Sequence, residues 1–345
     1  MLLLGFLALI ATGLSWTLTG VALSGVSRRN VNATYLLFFG PLLGVLISAG
    51  IMGGAALMGQ EWVSAPVHRG FAVDYFVVGA INYGLMYLGS VAMGRGPNNI
   101  VWCILQSGTL ISFIMGIVAF GEPLTGMRLV GMILMMTAMV FFSVVRKNEN
   151  AGKDIKGHSW VFLSLLAFLI CGFQHCLAAL PSYYEEGRAI HAVIRTLCVN
   201  LGATLTPMFI ILVKLFKGEF SCKFPELRNK WLWYYVLFQL AFGVVCAYFL
   251  TYRGLDILAS EGYGAMGYPV MVVSCIVGFF LYSALVLREK STWIHWLAFL
   301  ACIVGIGMAA YKPEAPKEIP AAAVEAAAPQ EQAVEVPASQ VKLAE

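Results

Sequence analysis

Charged residues are scarce in this sequence of 345 residues: they account for 12% of it, against 60% for hydrophobic residues. Soluble globular domains contain about 25% charged residues, so the composition excludes a chain of soluble domains and predicts a protein embedded in the lipid bilayer. The formal net charge is only +4, and the basic residues are scattered between apolar runs. We therefore expect no nucleic-acid partner.

Metal-binding and catalytic motifs are also lacking. None of the eight cysteines belongs to a CxxC or Cys/His cluster, and seven of them lie inside apolar runs. We interpret these cysteines as small packing residues, and we expect no metal and no cofactor. The HExxH, GxSxG and P-loop patterns are absent, and no loop is long enough for a soluble domain. The sequence therefore does not predict an enzyme; a membrane-embedded enzyme, a sensor and a scaffold are alternatives without a motif in their favour.

Ten apolar segments are long enough to cross the hydrocarbon core of a bilayer, about 30 Å thick, as helices. We predict an all-α integral membrane protein with ten transmembrane helices, arranged as two inverted five-helix repeats at residues 1–145 and 158–311. Residues 146–157 are predicted to form a polar cytoplasmic linker, and the Ala-, Pro- and Glu-rich tail, 312–345, is predicted to be disordered. The predicted segments are 2–24, 33–57, 71–93, 97–120, 127–145, 160–180, 190–216, 231–255, 263–287 and 292–311.

Matched features in the two halves indicate a duplication. Tyr83–Gly89 contains a Y-x3-Y-x-G pattern, and Tyr248–Gly254 repeats it 165 residues later. Glu122 and Glu289 are 167 residues apart, and each lies between two hydrophobic segments. Internal repeats in a polytopic membrane protein are typical of a transporter whose substrate site lies between the halves, near the midplane of the bilayer.

The distribution of basic residues predicts the orientation. With the N-terminus outside, the odd-numbered loops face the cytoplasm and hold 14 of the 22 Lys and Arg residues. An even number of helices then places the C-terminus outside as well. Arg28 and Arg29 favour a retained first helix over a cleaved signal peptide, the alternative that Ala22–Ser24 offers as a cleavage site. We predict a multi-pass protein of the inner (plasma) membrane.

Amide and tyrosine side chains within the apolar segments are the first candidates for substrate binding. A buried amide there must find a partner in the protein or in a wet cavity, because lipid offers none. Asn82 and Tyr83 lie in the middle of the third segment, Gln106 in the fourth and Gln174 in the sixth. For Gln106, an interhelical hydrogen bond is the alternative interpretation.

Two aromatic residues complete the candidate substrate-binding set. Trp16 belongs to a polar stripe at mid-depth in the first segment, although Trp usually lies at the membrane interfaces. Tyr248 belongs to the second copy of the tyrosine pattern. Packing between helices is the alternative for the stripe around Trp16.

Proton carriers are few, because no Asp or Glu lies in the middle of an apolar segment. His175 is the first candidate for proton coupling and Asp74 the second, although a lone histidine also serves as a packing residue. If neither titrates usefully, we expect a facilitator or an exchanger. Near the segment ends, Arg195 is expected to extend to the interface, and Asp256 is expected to pair with Arg253.

Several stretches resemble known transporters. The five-plus-five plan, the turn GEPLTG at 121–126 and the apolar fifth and tenth helices resemble the drug/metabolite transporter superfamily. Within it, GAINYGL at 79–85, YLGS at 87–90 and GIGMA at 305–309 resemble the third and last helices of the L-rhamnose/proton symporter family. This resemblance implies proton-coupled uptake of L-rhamnose or a related monosaccharide by alternating access. It also implies a cavity made by helices one to four and six to nine.

The candidate residues suit a neutral sugar, which needs paired hydrogen-bond donors and acceptors together with an apolar face. The alternative is an exporter of amino acids or other small metabolites, as elsewhere in the superfamily, and it predicts a more apolar and aromatic cavity. In the turn at 121–126, Glu122 is expected to compensate the dipole of the fifth helix. Small-residue packing motifs such as Gly40 and Gly44 are compatible with a monomer or with a homodimer.

Overall fold

The computed structural model describes residues 1–29, 31–96, 98–145, 159–218, 224–286 and 292–311. Within these ranges, the regular secondary structure is helical and no β-strand occurs. The described ranges leave out the predicted linker, the predicted tail and Glu289.

Ten helices, α1 to α10, follow one another along the described part of the chain. Three short α-helices lie between them at Glu61–Ser64, Glu185–Ala189 and Phe224–Leu227, and two short 3-10 helices at Leu180–Tyr183 and Gly264–Met266. Three of the ten have an interruption or a change of helix type, and these are given as consecutive parts. The ten are α1 Leu2–Arg28, α2 Ala33–Leu57, α3 Arg69–Arg95, α4 Asn98–Gln106 with Thr109–Phe120, α5 Gly126–Val145, α6 Ser159–Ala179, α7 Ala192–Phe216, α8 Lys230–Leu240 with Ala241–Thr251 and Tyr252–Ser260, α9 Gly267–Leu281 with Tyr282–Val286 and α10 Trp293–Ala310.

Among the described residues, nine of these helices are long and apolar enough to cross a bilayer. The described apolar part of the remaining helix, α5, is the shorter stretch Gly126–Phe141. The chain is therefore an all-α, multi-pass membrane protein. Each predicted segment coincides with one of the ten helices, whereas the arrangement as two inverted repeats stays a prediction.

Asparagine side chains cap the first turns of α2 and α8. The side chain of Asn32 accepts a hydrogen bond from the Thr34 N–H at the start of α2, and Asn229 accepts one from the Trp231 N–H at the start of α8. These caps satisfy N–H groups that have no partner inside the helix. At the other end of α4, Gly121 adopts a φ of 64°, the left-handed conformation that commonly ends a helix.

Helices of the two halves pack against each other. The most extensive pairings are α5 with α10, α1 with α8, α1 with α9, α3 with α7, α2 with α7 and α3 with α6. Smaller ones join α4 to α6 and α2 to α8. These contacts make Met1–Tyr311 one compact unit.

Two glycines let α3 and α7 approach closely. A Cβ atom on Gly79 would overlap the carbonyl oxygen of Val199, and a Cβ atom on Gly202 would overlap that of Phe76. The absence of both side chains brings the two backbones into contact, as small residues do where membrane helices cross. This crossing places Asn82 and Asn200 on adjoining walls of a central cavity.

The middle of α8, Ala241–Thr251, is a π-helix between two α-helical parts. A π-helix contains more residues per turn than an α-helix and occurs often at functional sites. Five residues of this π-helical part line the central cavity, so the change of helix type lies at the cavity wall.

Candidate functional site

A cavity of about 160 Å³ lies between seven helices: α1, α2, α3, α6, α7, α8 and α9. Pockets for drug-sized ligands usually measure about 300–1,000 Å³, so this cavity suits a smaller molecule. Helix α4, which the resemblance also placed at the cavity, contributes no lining residue among those described.

The described residues that line the cavity include no Asp, Glu, Lys or Arg. The polar part of the wall includes four carboxamides, from Asn82, Gln174, Asn200 and Gln239. Each carboxamide offers both hydrogen-bond donors and an acceptor. The cavity can therefore hydrogen-bond a neutral polar molecule, but it supplies no side chain of opposite charge for an ion.

Asn82 and Gln174 form one polar unit of this wall. The Gln174 Nε2 donates a hydrogen bond to Asn82 Oδ1 across 3.1 Å, which joins α6 to α3. This bond uses one donor and one of the acceptor sites of the pair. The remaining amide groups are available for hydrogen bonds to a ligand in the cavity.

A row of aromatic rings forms another part of the wall. Trp16 stacks on Phe242 with ring centres 5.1 Å apart and planes 1° apart. The other side of Trp16 meets the His175 ring edge-on at 6.1 Å, and His175 stacks on Tyr268 at 4.2 Å. The cavity thus combines amide groups with an aromatic surface on one wall.

His175 is enclosed in the protein, with 2% of its surface exposed. Among the described residues, the only hydrogen-bonding contact of its ring nitrogens is the Cys171 sulfur, at 3.7 and 3.9 Å. An imidazolium at this place has no carboxylate in contact to offset its charge.

Asp74 does not line the cavity, but the next residue in the chain, Tyr75, does. Its Oδ2 atom is buried and has no hydrogen-bond partner in the described part of the chain. A carboxylate oxygen in that state favours binding a proton or a donor group.

Five of the eight predicted site residues line the cavity: Trp16, Asn82, Tyr83, Gln174 and His175. Of the other three, Asp74 is beside it, and the structure brings neither Gln106 nor Tyr248 to it. Gln106 is fully buried in α4, where neither of its amide atoms has a hydrogen-bond partner among the described residues. The Tyr248 ring instead lies 6.0 Å from the ring of His191.

The polar lining residues that the sequence analysis missed include Asn200, Gln239, Tyr252 and Tyr268. Asn200 and Gln239 are amides within apolar segments, the same signal that identified Asn82. Tyr252 is the second tyrosine of the repeated pattern and takes the place at the cavity that was predicted for Tyr248. For Tyr268, no pattern in the sequence distinguished it from the aromatic residues that pack elsewhere.

An ion pair between α7 and α8 lies near one end of the cavity. The Arg195 guanidinium donates to both carboxylate oxygens of Asp256, across 3.0 and 2.9 Å, and to the carbonyl oxygens of Ile190 and Arg188. Only 1% of Arg195 is exposed. The expectations that Arg195 extends to the interface and that Arg253 pairs with Asp256 are therefore wrong. A guanidinium with four partners is satisfied inside the protein, and Asp256 faces α7 rather than Arg253.

Tyr75 and Tyr252 lie between this ion pair and the cavity. The Arg195 guanidinium carbon is 5.9 Å from the Tyr75 ring centre and 5.4 Å from that of Tyr252, and both tyrosines line the cavity. The two rings meet edge to face at 5.6 Å. Together, these four residues connect α3, α7 and α8 near the end of the cavity at which α3 and α7 begin.

Glu122, in the turn after α4, holds the start of α9 rather than only the start of α5. Its Oε1 accepts a hydrogen bond from the Ala265 N–H across 3.0 Å, and its Oε2 lies 3.9 Å from Arg128 Nη1. Arg128 also donates to the Gly262 carbonyl oxygen and covers the Tyr263 ring at 3.6 Å. Burial raises the pKa of the Glu122 carboxyl, and the hydrogen bonds and the Arg128 charge offset this only in part.

Comparison with known proteins gives a fold and no function. No protein-family model and no curated protein matches the chain. Twenty-four chains of solved structures resemble it. One of these, described only as the crystal structure of a protein, aligns with a TM-score of 0.60 and 16% identity, over 88% of this chain and 96% of that one. At this identity, the likeness shows a shared fold alone.

Proposed function

We propose that the protein is a secondary active transporter that takes up an uncharged monosaccharide, L-rhamnose or a related sugar, together with a proton. The observation that carries this proposal is the wall of the central cavity. It combines four carboxamides with a row of aromatic rings and, among the described residues, contains no charged side chain. Hydroxyl groups of a sugar pair with amide donors and acceptors, and its C–H faces pack on aromatic rings.

The helix pairings support two inverted repeats as the basis of alternating access. If α1 to α5 correspond to α6 to α10, each of the helix pairings described above has a counterpart. The pairing of α1 with α9 corresponds to the pairing of α6 with α4. Likewise, the pairing of α3 with α6 corresponds to that of α8 with α1, and the pairing of α3 with α7 corresponds to that of α8 with α2. The pairs α2 with α7 and α5 with α10 correspond to themselves. Transporters of this design bind their substrate between the repeats, and this cavity is lined by helices from both halves of the chain.

A cluster of contacts near one end of the cavity supports the same mechanism. Arg195, Asp256, Tyr75 and Tyr252 connect α3, α7 and α8 at the end where α3 and α7 begin. With the predicted orientation, in which both termini are outside the inner membrane, this end faces the outside. Alternating access then requires these four residues to separate when the substrate enters.

For proton coupling, the contacts favour Asp74 over His175. Asp74 has a buried carboxylate oxygen without a hydrogen-bond partner among the described residues. Binding a proton there neutralises the carboxylate and so relieves the unfavourable burial of its charge. A proton on His175 instead creates a charge among Trp16, Tyr268 and Cys171, which offer no negative partner. We therefore propose Asp74 as the proton carrier and His175 as part of the aromatic surface.

The second candidate function is the export of amino acids or other small metabolites. The aromatic row from Phe242 to Tyr268 favours it, because the alternative predicted an aromatic cavity. An amino acid, however, carries a carboxylate and an ammonium group, and the lining residues offer neither a cationic nor an anionic side chain. The uncharged sugar is the better match.

Counterflow separates the two candidates. Purified protein in liposomes preloaded with unlabelled L-rhamnose is expected to accumulate external radiolabelled L-rhamnose transiently. Excess of a related uncharged monosaccharide should suppress this signal, and excess of neutral amino acids should not. Counterflow that occurs with amino acids but not with any monosaccharide would support the exporter and contradict the sugar transporter.

A further inference from the structure

Two glycines of α2 form a notch that receives side chains from the cavity wall. A Cβ atom on Gly40 would overlap the Gln239 Oε1 atom, and a Cβ atom on Gly44 would lie 2.7 Å from the Asn200 amide. Elsewhere on α2, Cβ atoms on Gly50 and Gly53 would meet nothing within 4 Å. Gly40 and Gly44 therefore make room for the side-chain amides of Gln239 and Asn200. In helix packing, by contrast, small residues usually make room for the backbone of a neighbouring helix.

The two carboxamides differ in how they are held. Asn200 donates to the Thr196 carbonyl oxygen across 2.9 Å, which fixes its side chain on α7. Gln239 Oε1 is buried in the notch and has no hydrogen-bond partner in the described part of the chain. A buried acceptor without a donor is unfavourable, so the position of this amide in the notch is energetically unfavourable.

Gln239 has the reach to leave the notch. It lines the cavity and lies at the end of the α-helical part Lys230–Leu240, next to the π-helical part of α8. Its side chain has three rotatable bonds, and the cavity beside it contains the donors and acceptors of Asn82, Gln174 and Asn200. A hydroxyl group of a ligand there would supply the donor that Oε1 lacks.

We propose that Gln239, whose side chain lines the cavity, is a substrate-binding residue whose Oε1 atom is turned away from the substrate in the empty protein. Its amide rests against Gly40 and rotates into the cavity to accept a hydrogen bond from a hydroxyl group of the sugar. This inference rests on the proposed function, and it adds specificity for a ligand with a hydroxyl group at the α2 side of the cavity. A ligand without that hydroxyl leaves Gln239 in the notch.

Gln239→Met tests the proposal, because methionine keeps the length of the side chain and removes the amide. Two quantities are measured on purified protein in detergent: the thermal midpoint of the empty protein, and the Kd for L-rhamnose from isothermal titration calorimetry. We expect the midpoint to be unchanged or higher, since the unpaired acceptor is gone, and the Kd to increase at least tenfold. A residue with a purely structural role would lower the midpoint and weaken binding together, and that result would overturn the inference.

Gly40→Ala provides a second test that retains the amide. The three nearest atoms to the added Cβ all belong to the Gln239 side chain, so the substitution pushes that side chain out of the notch. We expect the Kd to stay within threefold of the unchanged protein or to decrease, as for the matched control Gly50→Ala. A Kd raised tenfold or more by Gly40→Ala alone would show that binding needs the amide in the notch, against the proposal.

The two proposals fail in different ways. If the intact protein binds no monosaccharide, the proposed function is wrong and this inference falls with it. If the intact protein binds L-rhamnose and Gln239→Met binds it equally well, only the inference about Gln239 is wrong.

Discussion

The Gln174 side chain donates a hydrogen bond to Asn82 across 3.1 Å, so an amide of α6 and an amide of α3 meet at the wall of the cavity. These two residues come from different halves of the chain, 92 positions apart. Their contact indicates that the cavity is assembled between the halves rather than within one of them. Both residues were predicted as substrate-binding residues because they are amides inside apolar segments.

The pair Asn82 and Gln174 is expected to contribute more to binding than to stability. Hydrogen bonds between membrane helices contribute about 0.6 kcal/mol on average, so the coupling energy for unfolding in a double-mutant cycle should be of that order. Each single change, Asn82→Leu or Gln174→Leu, should weaken L-rhamnose binding at least tenfold, which is about 1.4 kcal/mol. Titration calorimetry on the four proteins of the cycle measures the Kd for L-rhamnose, and thermal unfolding measures their stability. Lower stability with unchanged Kd would assign the pair to packing.

The crossing of α3 and α7 should not tolerate a larger residue. Gly79→Ala and Gly202→Ala place a methyl group against the backbone of the opposite helix, and such overpacking costs about 1–3 kcal/mol. Gly84→Ala is the matched control, because a Cβ atom there would meet nothing within 4 Å on the same helix. Thermal unfolding in detergent should show a lower midpoint for the first two variants only. Equal midpoints for all three variants would contradict the close crossing.

Asp256 is expected to be essential for stability, whereas its neighbour Arg253 is not. Asp256→Ala leaves the Arg195 guanidinium buried with two carbonyl partners and no counter-charge. Removing one partner of a buried pair costs about 3–5 kcal/mol. Arg253 is exposed, so Arg253→Ala should change the free energy of unfolding by less than about 0.5 kcal/mol. An equal decrease in the free energy of unfolding in Asp256→Ala and Arg253→Ala would support the pairing of Arg253 with Asp256 that the sequence suggested.

Glu122 should make stability depend on pH. Because burial raises the pKa of its carboxyl, the folded protein favours the protonated form. That contribution to the free energy of unfolding is complete below the ordinary pKa of glutamate and is lost as the pH rises through the raised pKa, by about 1.4 kcal/mol for each unit of the shift. In Glu122→Gln this dependence is absent, so the midpoint of the unchanged protein should fall relative to the variant as the pH rises above the ordinary pKa of glutamate.

The control for this pH series is Glu185→Gln, which replaces an exposed glutamate near the same end of the bundle. Its midpoint should follow that of the unchanged protein at every pH. A constant difference between the unchanged protein and Glu122→Gln across the series would show that Glu122 keeps one protonation state throughout.

The sequence predicted the helices well, because long apolar runs without charge leave few alternatives in a bilayer. The predicted second segment, 33–57, has the bounds of α2, where Asn32 provides a cap. The amides Asn82 and Gln174 were also found from the sequence, since a buried amide in lipid is conspicuous by residue type alone.

The sequence did not predict which residues of different helices meet. Arg195 and Asp256 are 61 positions apart, and nothing in either segment indicates that they face each other. The choice of Tyr248 over Tyr252 has a local cause. Tyr248 lies in the π-helical part of α8, where the usual period of 3.6 residues no longer gives the face of the helix on which a residue lies.

Accumulation of radiolabelled L-rhamnose in energised membrane vesicles, with and without a protonophore, tests the central claim most directly. We predict accumulation that the protonophore abolishes, loss of all uptake in Asn82→Ala, and exchange without accumulation in Asp74→Asn. Exchange without accumulation in His175→Ala, with Asp74→Asn unaffected, would instead make the histidine the proton carrier. The absence of saturable uptake by folded protein would contradict the assignment of a sugar transporter.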